Sequence, residues 1–359
     1  MVPYHPSRMS DPLLIYGATG FTGRLMIAGA LEQGLRPVLA GRDEARLGEL
    51  AGRLGLEYRA ARLGDGPALD AALRDVRVVL HAAGPFSETS RPMVEACLRA
   101  GAHYLDITGE ISVIEALAAR HAEARRRGVM VMPSVGFDVV PSDCLAAHVA
   151  ARLPGARHLA LGITGLRIAT RGSAKTLTEH AFHGVQVRRG GALVRVPAGA
   201  LRRGFDFGDG LRPSLAVLWG DVATAWYTTG IPDVEVYFEA NPVVLSLLFA
   251  TRWFGWLLAT APWQTWLKTW ADLMPDPAGE VARGGPGMVV VAEAEDDRGR
   301  RASARLRTPE AYAFTGVTAS TIARRVLAGD FEPGFQTPGR VYGPDFVLSF
   351  TGVTREDLD

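Results

Sequence analysis

The chain has 359 residues, of which 48% are hydrophobic, and a formal net charge of +1 at pH 7. This length predicts two domains, and the near-neutral charge argues against a nucleic-acid partner and against disorder. Its two cysteines, Cys97 and Cys144, form no metal-binding motif, and no apolar secretion signal opens the chain. We therefore expect a cytoplasmic protein.

Short apolar strands alternate with helices through the first half of the chain. Strands are predicted over 13–16, 36–42, 56–63, 76–86, 103–110 and 129–137, with helices between them. This alternation predicts right-handed βαβ units in a doubly wound parallel sheet. Ligands of such sheets bind beyond the carboxyl ends of the strands.

The first strand runs into "YGATGFTGRL" at 16–25, where three glycines stand at every third position. Gly17 is expected to allow a tight turn, Gly20 the approach of a pyrophosphate, and Gly23 close packing of the helix on the strand. The helix start would offer its N–H groups to the phosphates. The predicted cofactor-binding residues of this turn are Gly17, Thr19, Gly20, Phe21, Thr22 and Gly23.

The second strand ends on Gly41 and Arg42. An acidic residue at this place holds the ribose 2′-hydroxyl of NAD, whereas an arginine accommodates the 2′-phosphate of NADP. Asp43 is expected to cap the following helix instead. We therefore predict NADP as the cofactor, with solvation of the strand end as the alternative role of Arg42.

Later strands end in three further bends. Ala83, Gly84 and Pro85 form the first, residues 108–110 the second, and Gly136 and Phe137 the third. Each bend is compatible with an ordinary turn, but their shared position predicts that they border the cofactor crevice.

Several stretches resemble one family. "GATGFTGRL", "LAGR", "HAAGPF", "VEACLRAGAHYLDITGE", "PSVGFDVVPSD" and the closing "GFQTPGRVYGPDF" resemble the saccharopine dehydrogenase-like oxidoreductases, in particular the trans-acting enoyl reductases. The resemblance implies an NADP-binding Rossmann domain at 1–145 and an α+β substrate and dimerisation domain at 146–330. It also implies a C-terminal segment at 331–359 that packs back on the first domain. His81 departs from the small polar residue that the family commonly has there.

The second domain is expected to contain a mostly antiparallel sheet, including a hairpin formed by 287–299 and 300–308. Residues 241–270 are rich in tryptophan at helical spacing. Arg252 and Gln264 argue against a membrane-spanning helix there. The alternatives are a core helix or homodimer contact, and a lid over an apolar substrate or a peripheral membrane-surface contact.

Catalytic residues are less clearly marked. Neither Lys175 nor Lys268 follows a tyrosine at the spacing that short-chain reductases use, because Arg171 and Gln264 occupy those positions. Candidate proton donors are Asp138, Ser142, Lys175, Glu179 and His180, each of which could equally be structural. No histidine spacing supports a metal site.

The leading hypothesis is an NADPH-dependent reductase of a polarised C=C bond in an apolar acyl or polyketide-like substrate. It depends on the resemblance and on the tryptophan-rich stretch. The alternatives are an oxidoreductase of the saccharopine type, which forms or reduces an imine, and a non-catalytic NADP-binding module.

Overall fold

The structure, a computed structural model, describes residues 12–165, 184–240 and 287–358, and the chain divides into two compact units. The first unit consists of Met1–Phe137 and Tyr312–Gln336, and the second of Asp138–Ala311 and Thr337–Asp359. The chain thus re-enters the first unit at Tyr312, whereas the resemblance implies that the segment 331–359 packs on the first domain. The stretch after Gln336 belongs to the second unit.

The first unit contains a seven-stranded sheet in which all paired strands are parallel. Its strands are β1 (Leu13–Tyr16), β2 (Val38–Gly41), β3 (Tyr58–Ala60), β4 (Val78–His81), β5 (His103–Asp106), β6 (Met130–Met132) and the fifteenth strand of the chain, β15 (Gly334–Phe335). The order β15-β6-β5-β4-β1-β2-β3 reverses direction between β1 and β4. This is the doubly wound arrangement, so the predicted Rossmann sheet is confirmed.

Helices connect these strands. They are α1 (Phe21–Glu32), α2 (Glu44–Leu54), α3 (Gly66–Ala72), α4 (Phe86–Ala100), α5 (Ile111–Ala118), α6 (His121–Arg126) and, late in the chain, α9 (Ala311–Leu327). Asp43 caps α2 by accepting a hydrogen bond from the Arg46 N–H at 3.1 Å, as predicted. The continuous helix predicted over 113–128 is instead two helices, and nothing in the structure explains the break.

The second unit is built on a nine-stranded mixed sheet. Its elements are α7 (Val140–Arg152), β7 (His158–Thr164), β8 (Val185–Arg189), β9 (Ala192–Val196), β10 (Arg202–Asp206), β11 (Leu211–Ala216), α8 (Asp221–Thr229), β12 (Asp233–Glu239), β13 (Met288–Glu295), β14 (Arg301–Thr308), α10 (Pro338–Tyr342), a 3₁₀ turn (Phe346–Ser349) and β16 (Thr354–Asp357). The strand pair β7–β12 is parallel and the other pairs are antiparallel. The predicted α+β class is therefore confirmed, and so is the β13–β14 hairpin.

The burial of the strands explains their sequence patterns. Strands β1, β2, β4, β5 and β6 are buried along their whole length, as expected for a parallel sheet covered on both faces, and β1, β2 and β6 read as continuous apolar runs. In β14, by contrast, fully buried residues alternate with more exposed ones, so one face of this strand is less covered than the other. The two patterns distinguish the two sheets.

Candidate functional site

The glycine turn after β1 is folded so tightly that side chains could not enter it. Gly17 has φ +87°, and a Cβ atom there would lie 2.9 Å from the main chain of Ala82 and Ala83. At Gly23 a Cβ would lie 2.3 Å from the Gly17 carbonyl oxygen. Main-chain atoms therefore approach one another closely at this turn, which only glycine allows. Gly17 and Gly23 thus have the roles that their spacing predicts.

The start of α1 is suited to an anion. Gly20 precedes the helix, is exposed, and its N–H donates to the Gly17 carbonyl at 3.0 Å. Within the described chain, no side chain caps the first turn of α1. A helix start leaves its first N–H groups without intrahelical partners and carries partial positive charge, which together fit a pyrophosphate. The structure thus brings Gly17, Thr19, Gly20, Phe21, Thr22 and Gly23 together in one turn.

The end of β2 presents a cation. Arg42 is exposed directly after this strand, while the Asp43 carboxylate is occupied by its capping bond. Burial raises the pKa of the Tyr16 phenol, and the positive charge of Arg42 opposes the rise. The guanidinium therefore lies near the end of β1, where a cation suits a ribose 2′-phosphate.

The turn after β4 is held by a carboxylate from the next strand. Glu110 follows β5 and accepts hydrogen bonds from the N–H groups of Phe86, at 2.8 Å, and Ser87, at 3.1 Å. The Thr89 hydroxyl donates to the Ala83 carbonyl at 2.6 Å. Glu110 thus caps α4 and fixes the predicted bend at Ala83, Gly84 and Pro85.

A buried chain of polar side chains lies behind this turn. His81 Nδ1 is 3.2 Å from the Tyr104 hydroxyl, which donates to Asp106 Oδ2 at 2.7 Å. Burial lowers the pKa of His81 to about 3, and the Ala83 main chain offsets this only in part. His81 is therefore neutral, and it packs edge-on against Phe86.

Asp106 joins the ends of β5 and β6. Its Oδ1 accepts hydrogen bonds from the N–H groups of Thr108, at 2.9 Å, and Ser134, at 3.0 Å. Burial raises the pKa of Asp106 to about 6, against the opposing effect of these bonds and that of Tyr104. Ser134 has φ +62°, a conformation that side chains rarely adopt, and its hydroxyl donates to the Thr108 carbonyl at 2.6 Å. Asp106 therefore stabilises a strained bend at the carboxyl edge of the sheet.

Gly136 and Phe137 are buried against α9. The Phe137 N–H donates to Thr315 Oγ1 at 3.0 Å, and a Cβ on Gly136 would lie 2.8 Å from Thr315 Cγ2. These contacts anchor the bend to a helix from late in the chain. Contact of Gly136 and Phe137 with the cofactor stays a prediction.

In the second unit, two of the predicted catalytic residues belong to a cluster of carboxyl groups. Ser142 Oγ lies 2.9 Å from Asp221 Oδ2 and 3.1 Å from the Val139 carbonyl. The other predicted catalytic residue is Asp138. Burial raises the pKa of Asp138 to about 6, and Asp138 is more exposed than Ser142. Asp143, next to Ser142, accepts hydrogen bonds from the Thr228 hydroxyl at 2.6 Å and the Gly339 N–H at 2.7 Å.

Asp221 is the least satisfied member of this cluster. It is fully buried, and its Oδ1 has no hydrogen-bond partner within the described residues. Burial raises its pKa well above the usual range, and the charges of Asp143 and Asp138 add to the rise. Sequence reasoning missed Asp221 and also the linking roles of Asp106 and Glu110. The sequence signal that could have indicated these roles is that Asp106 lies just before the predicted bend at 108–110 and Glu110 lies within it.

Some predictions lie outside the described residues: Lys175, Glu179, His180 and the tryptophan-rich segment 241–270. Across the described ranges, no group of histidine, cysteine or carboxylate side chains could hold a metal ion. Across those same ranges, no helix is long and apolar enough to cross a bilayer.

Comparisons with known proteins agree with this geometry. Residues 13–132 match the family described as saccharopine dehydrogenase NADP binding domain. The chain is 33% identical over 146 residues to a trans-acting enoyl reductase of Mycobacterium leprae, covering 38% of this chain and 35% of that one. It is 31% identical over 151 residues to a saccharopine dehydrogenase-like oxidoreductase of Mus musculus, covering 36% and 35%. The chain thus spans about a third of the length of these relatives.

A solved structure shares the fold over nearly the whole chain. The apo saccharopine dehydrogenase (L-Glu forming) of Saccharomyces cerevisiae superposes with a TM-score of 0.68 at 13% identity, covering 97% of this chain and 99% of that one. At this identity the likeness concerns the fold. The family match and the glycine turn together confirm the suspected resemblance and NADP as the cofactor. Over residues 13–132 the chain is therefore similar to the saccharopine dehydrogenase NADP binding domain family.

Proposed function

We propose that the protein is an NADPH-dependent reductase that acts on a polarised C=C bond of an apolar acyl substrate. The observation that carries the proposal is the uncapped start of α1 behind a side-chain-free glycine turn, with Arg42 at the end of the next strand. Relatives that match this domain are described as trans-acting enoyl reductases.

Bound NADPH supplies the hydride. The N–H groups at the start of α1 would hold the pyrophosphate, and Arg42 would hold the 2′-phosphate. Glu110 and Asp106 keep the bends after β4, β5 and β6 in place by hydrogen bonds. The protein thereby keeps the carboxyl edge of the sheet in one arrangement before the cofactor binds.

Reduction of a C=C bond also needs a proton, and Asp138 is the described candidate best suited to supply it. Its pKa of about 6 lies close to neutral pH, where a general acid is most effective. As a residue Asp138 is only half-buried, whereas Ser142 is fully buried and hydrogen-bonded. We therefore assign the proton transfer to Asp138.

The test is NADPH consumption by the full chain with a medium-chain 2-enoyl thioester in the absence of any amine. The proposal predicts turnover that depends on the double bond, so the saturated thioester serves as the control. Turnover only when an amine and a 2-oxo acid are both added would instead support imine reduction. Tight NADPH binding without turnover on either substrate pair would support a non-catalytic module.

The proposal also includes an apolar substrate and a homodimer, because segment 241–270 is rich in tryptophan. Its tryptophans are expected to cover the acyl chain or a second copy of the protein. Light scattering separates these outcomes, since a dimer doubles the mass without substrate. Co-sedimentation with anionic vesicles tests the membrane-surface alternative.

A further inference from the structure

The ends of β1, β2 and β3 meet at one point of the first unit. The Ala61 N–H, directly after β3, donates to the Gly41 carbonyl at the end of β2 at 2.9 Å. The Tyr16 hydroxyl, at the end of β1, donates to the Ala61 carbonyl at 2.9 Å. Gly41 pairs with Ala60 in the β2–β3 register, so Arg42 is level with Ala61 and Arg62 follows one residue further along the adjacent strand end.

Arg42 and Arg62 are also exceptional in having no partner. Both are exposed, and within the described residues neither guanidinium makes a hydrogen bond or an ion pair. The other arginines of residues 12–65 are each engaged: Arg24 with the Thr19 carbonyl, Arg36 with the Gly55 carbonyl, Arg46 with Asp43, Arg53 with Glu49 and Arg59 with Glu57.

The turn that carries Arg62 is fixed by its neighbours. The Asp65 N–H donates to the Arg62 carbonyl at 3.0 Å, and the Asp65 carboxylate accepts from the Ala68 N–H at 3.0 Å. The Asp65 carboxylate is thus used to cap α3, in the same way that Asp43 is used to cap α2. Among the described residues, Arg42 and Arg62 thus place two cations without side-chain hydrogen bonds or ion pairs at the carboxyl edge of the sheet, where an anion could bind them.

We propose that Arg62 is a second specificity-determining residue, which binds the 2′-phosphate of NADP from the side opposite Arg42. A guanidinium presents paired N–H donors that match phosphate oxygens, and two of them on adjacent strand ends can take different oxygens of one group. NADH lacks this phosphate and gains nothing from either arginine. The role of Arg62 rests on the use of NADPH in the proposed function and is independent of the substrate.

The experiment measures dissociation constants for NADPH and NADH by calorimetry on the full chain and its variants. Arg62→Ala is expected to weaken NADPH binding by about 10- to 100-fold and to change NADH binding less than about twofold. Arg53→Ala removes the same charge from an exposed arginine on α2 that is paired with Glu49, and it is the matched control. We expect this variant to bind both cofactors as the wild type does.

Equal weakening of NADPH and NADH by Arg62→Ala would overturn the proposal, as would an unchanged preference for NADPH. A wild-type chain that binds neither cofactor would instead overturn the proposed function. Adenosine 2′,5′-bisphosphate and AMP provide a second pair of probes that lack the nicotinamide. Arg62→Ala should reduce only the binding of the bisphosphate, while its melting temperature stays that of the wild type because the side chain is exposed.

Discussion

Replacement of Asp221 by asparagine is expected to stabilise the protein at neutral pH. Asp221 is fully buried, lies 2.9 Å from Ser142 Oγ and leaves Oδ1 without a partner among the described residues. Its folded-state pKa is well above the unfolded value of 3.8, because burial and the charges of Asp143 and Asp138 disfavour ionisation. The folded protein therefore keeps a proton that the unfolded chain releases.

The size of the effect follows from this difference. A carboxyl whose pKa is raised on folding loses stability as the pH rises above its unfolded pKa, and each unit of such a rise corresponds to about 1.4 kcal/mol. Asparagine retains a hydrogen bond to Ser142 but has its own amide group to bury, so we expect a net gain of ~1–3 kcal/mol. Because the folded pKa is raised, the gain grows as the pH rises from about 4 toward the folded pKa and vanishes below about pH 4.

Scanning calorimetry at pH 4 and pH 8 measures the change, with Asp143→Asn as the matched comparison. Asp143 is also buried, but its oxygens accept hydrogen bonds from Thr228 and Gly339, at 2.6 and 2.7 Å. An asparagine there would point N–H groups at one of these donors, which costs ~1–3 kcal/mol. Burial also raises the pKa of Asp143, to about 6, so the loss of its hydrogen bonds is partly offset, and Asp143→Asn should stabilise the protein less than Asp221→Asn at pH 8. A loss of stability in Asp221→Asn that is larger at pH 8 than at pH 4 would refute the reasoning.

Three further predictions concern the site. Gly23→Ala places a Cβ 2.3 Å from the Gly17 oxygen, so calorimetric NADPH affinity should fall by ~100-fold or more, whereas wild-type affinity would contradict close packing at the turn. Glu110→Gln removes the charge that caps α4, and the melting temperature should fall by an amount equivalent to ~1 kcal/mol. Asp138→Asn should lower kcat by ~10²- to 10⁴-fold and abolish the decline of the wild-type kcat above a pH of about 6. An unchanged pH profile of kcat would exclude Asp138 as the general acid.

The parts of the fold that local sequence determines were predictable. Strands β1 and β2 of the first sheet are continuous apolar runs, and the glycine turn, the Asp43 cap and the β13–β14 hairpin each depend on a few neighbouring residues. These features follow from backbone sterics and capping chemistry. They cover most of the first unit and the cofactor side of the site.

The return of α9 to the first unit was not predictable, because it depends on contacts between distant parts of the chain. A Cβ on Gly29 of α1 would lie 2.7 Å from the Gly316 carbonyl of α9, and one on Gly316 would lie 2.9 Å from the Leu25 carbonyl. Glycine inside a helix usually costs stability, so a glycine in each of two helices indicates close packing. Nothing local identifies the partner helix. The same holds for Ser142 and Asp221, which meet from distant positions in the chain.

The carboxyl edge of the first sheet is thus stabilised in two different ways. On the side of β4, β5 and β6, the bends are joined through Glu110, Asp106 and Ser134, so a substitution there disturbs several turns at once. On the side of β2 and β3, Arg42 and Arg62 extend from strand ends that are already held by main-chain bonds. Cofactor preference can therefore change through these two arginines without loss of the fold, whereas the bends of the opposite side must be kept together.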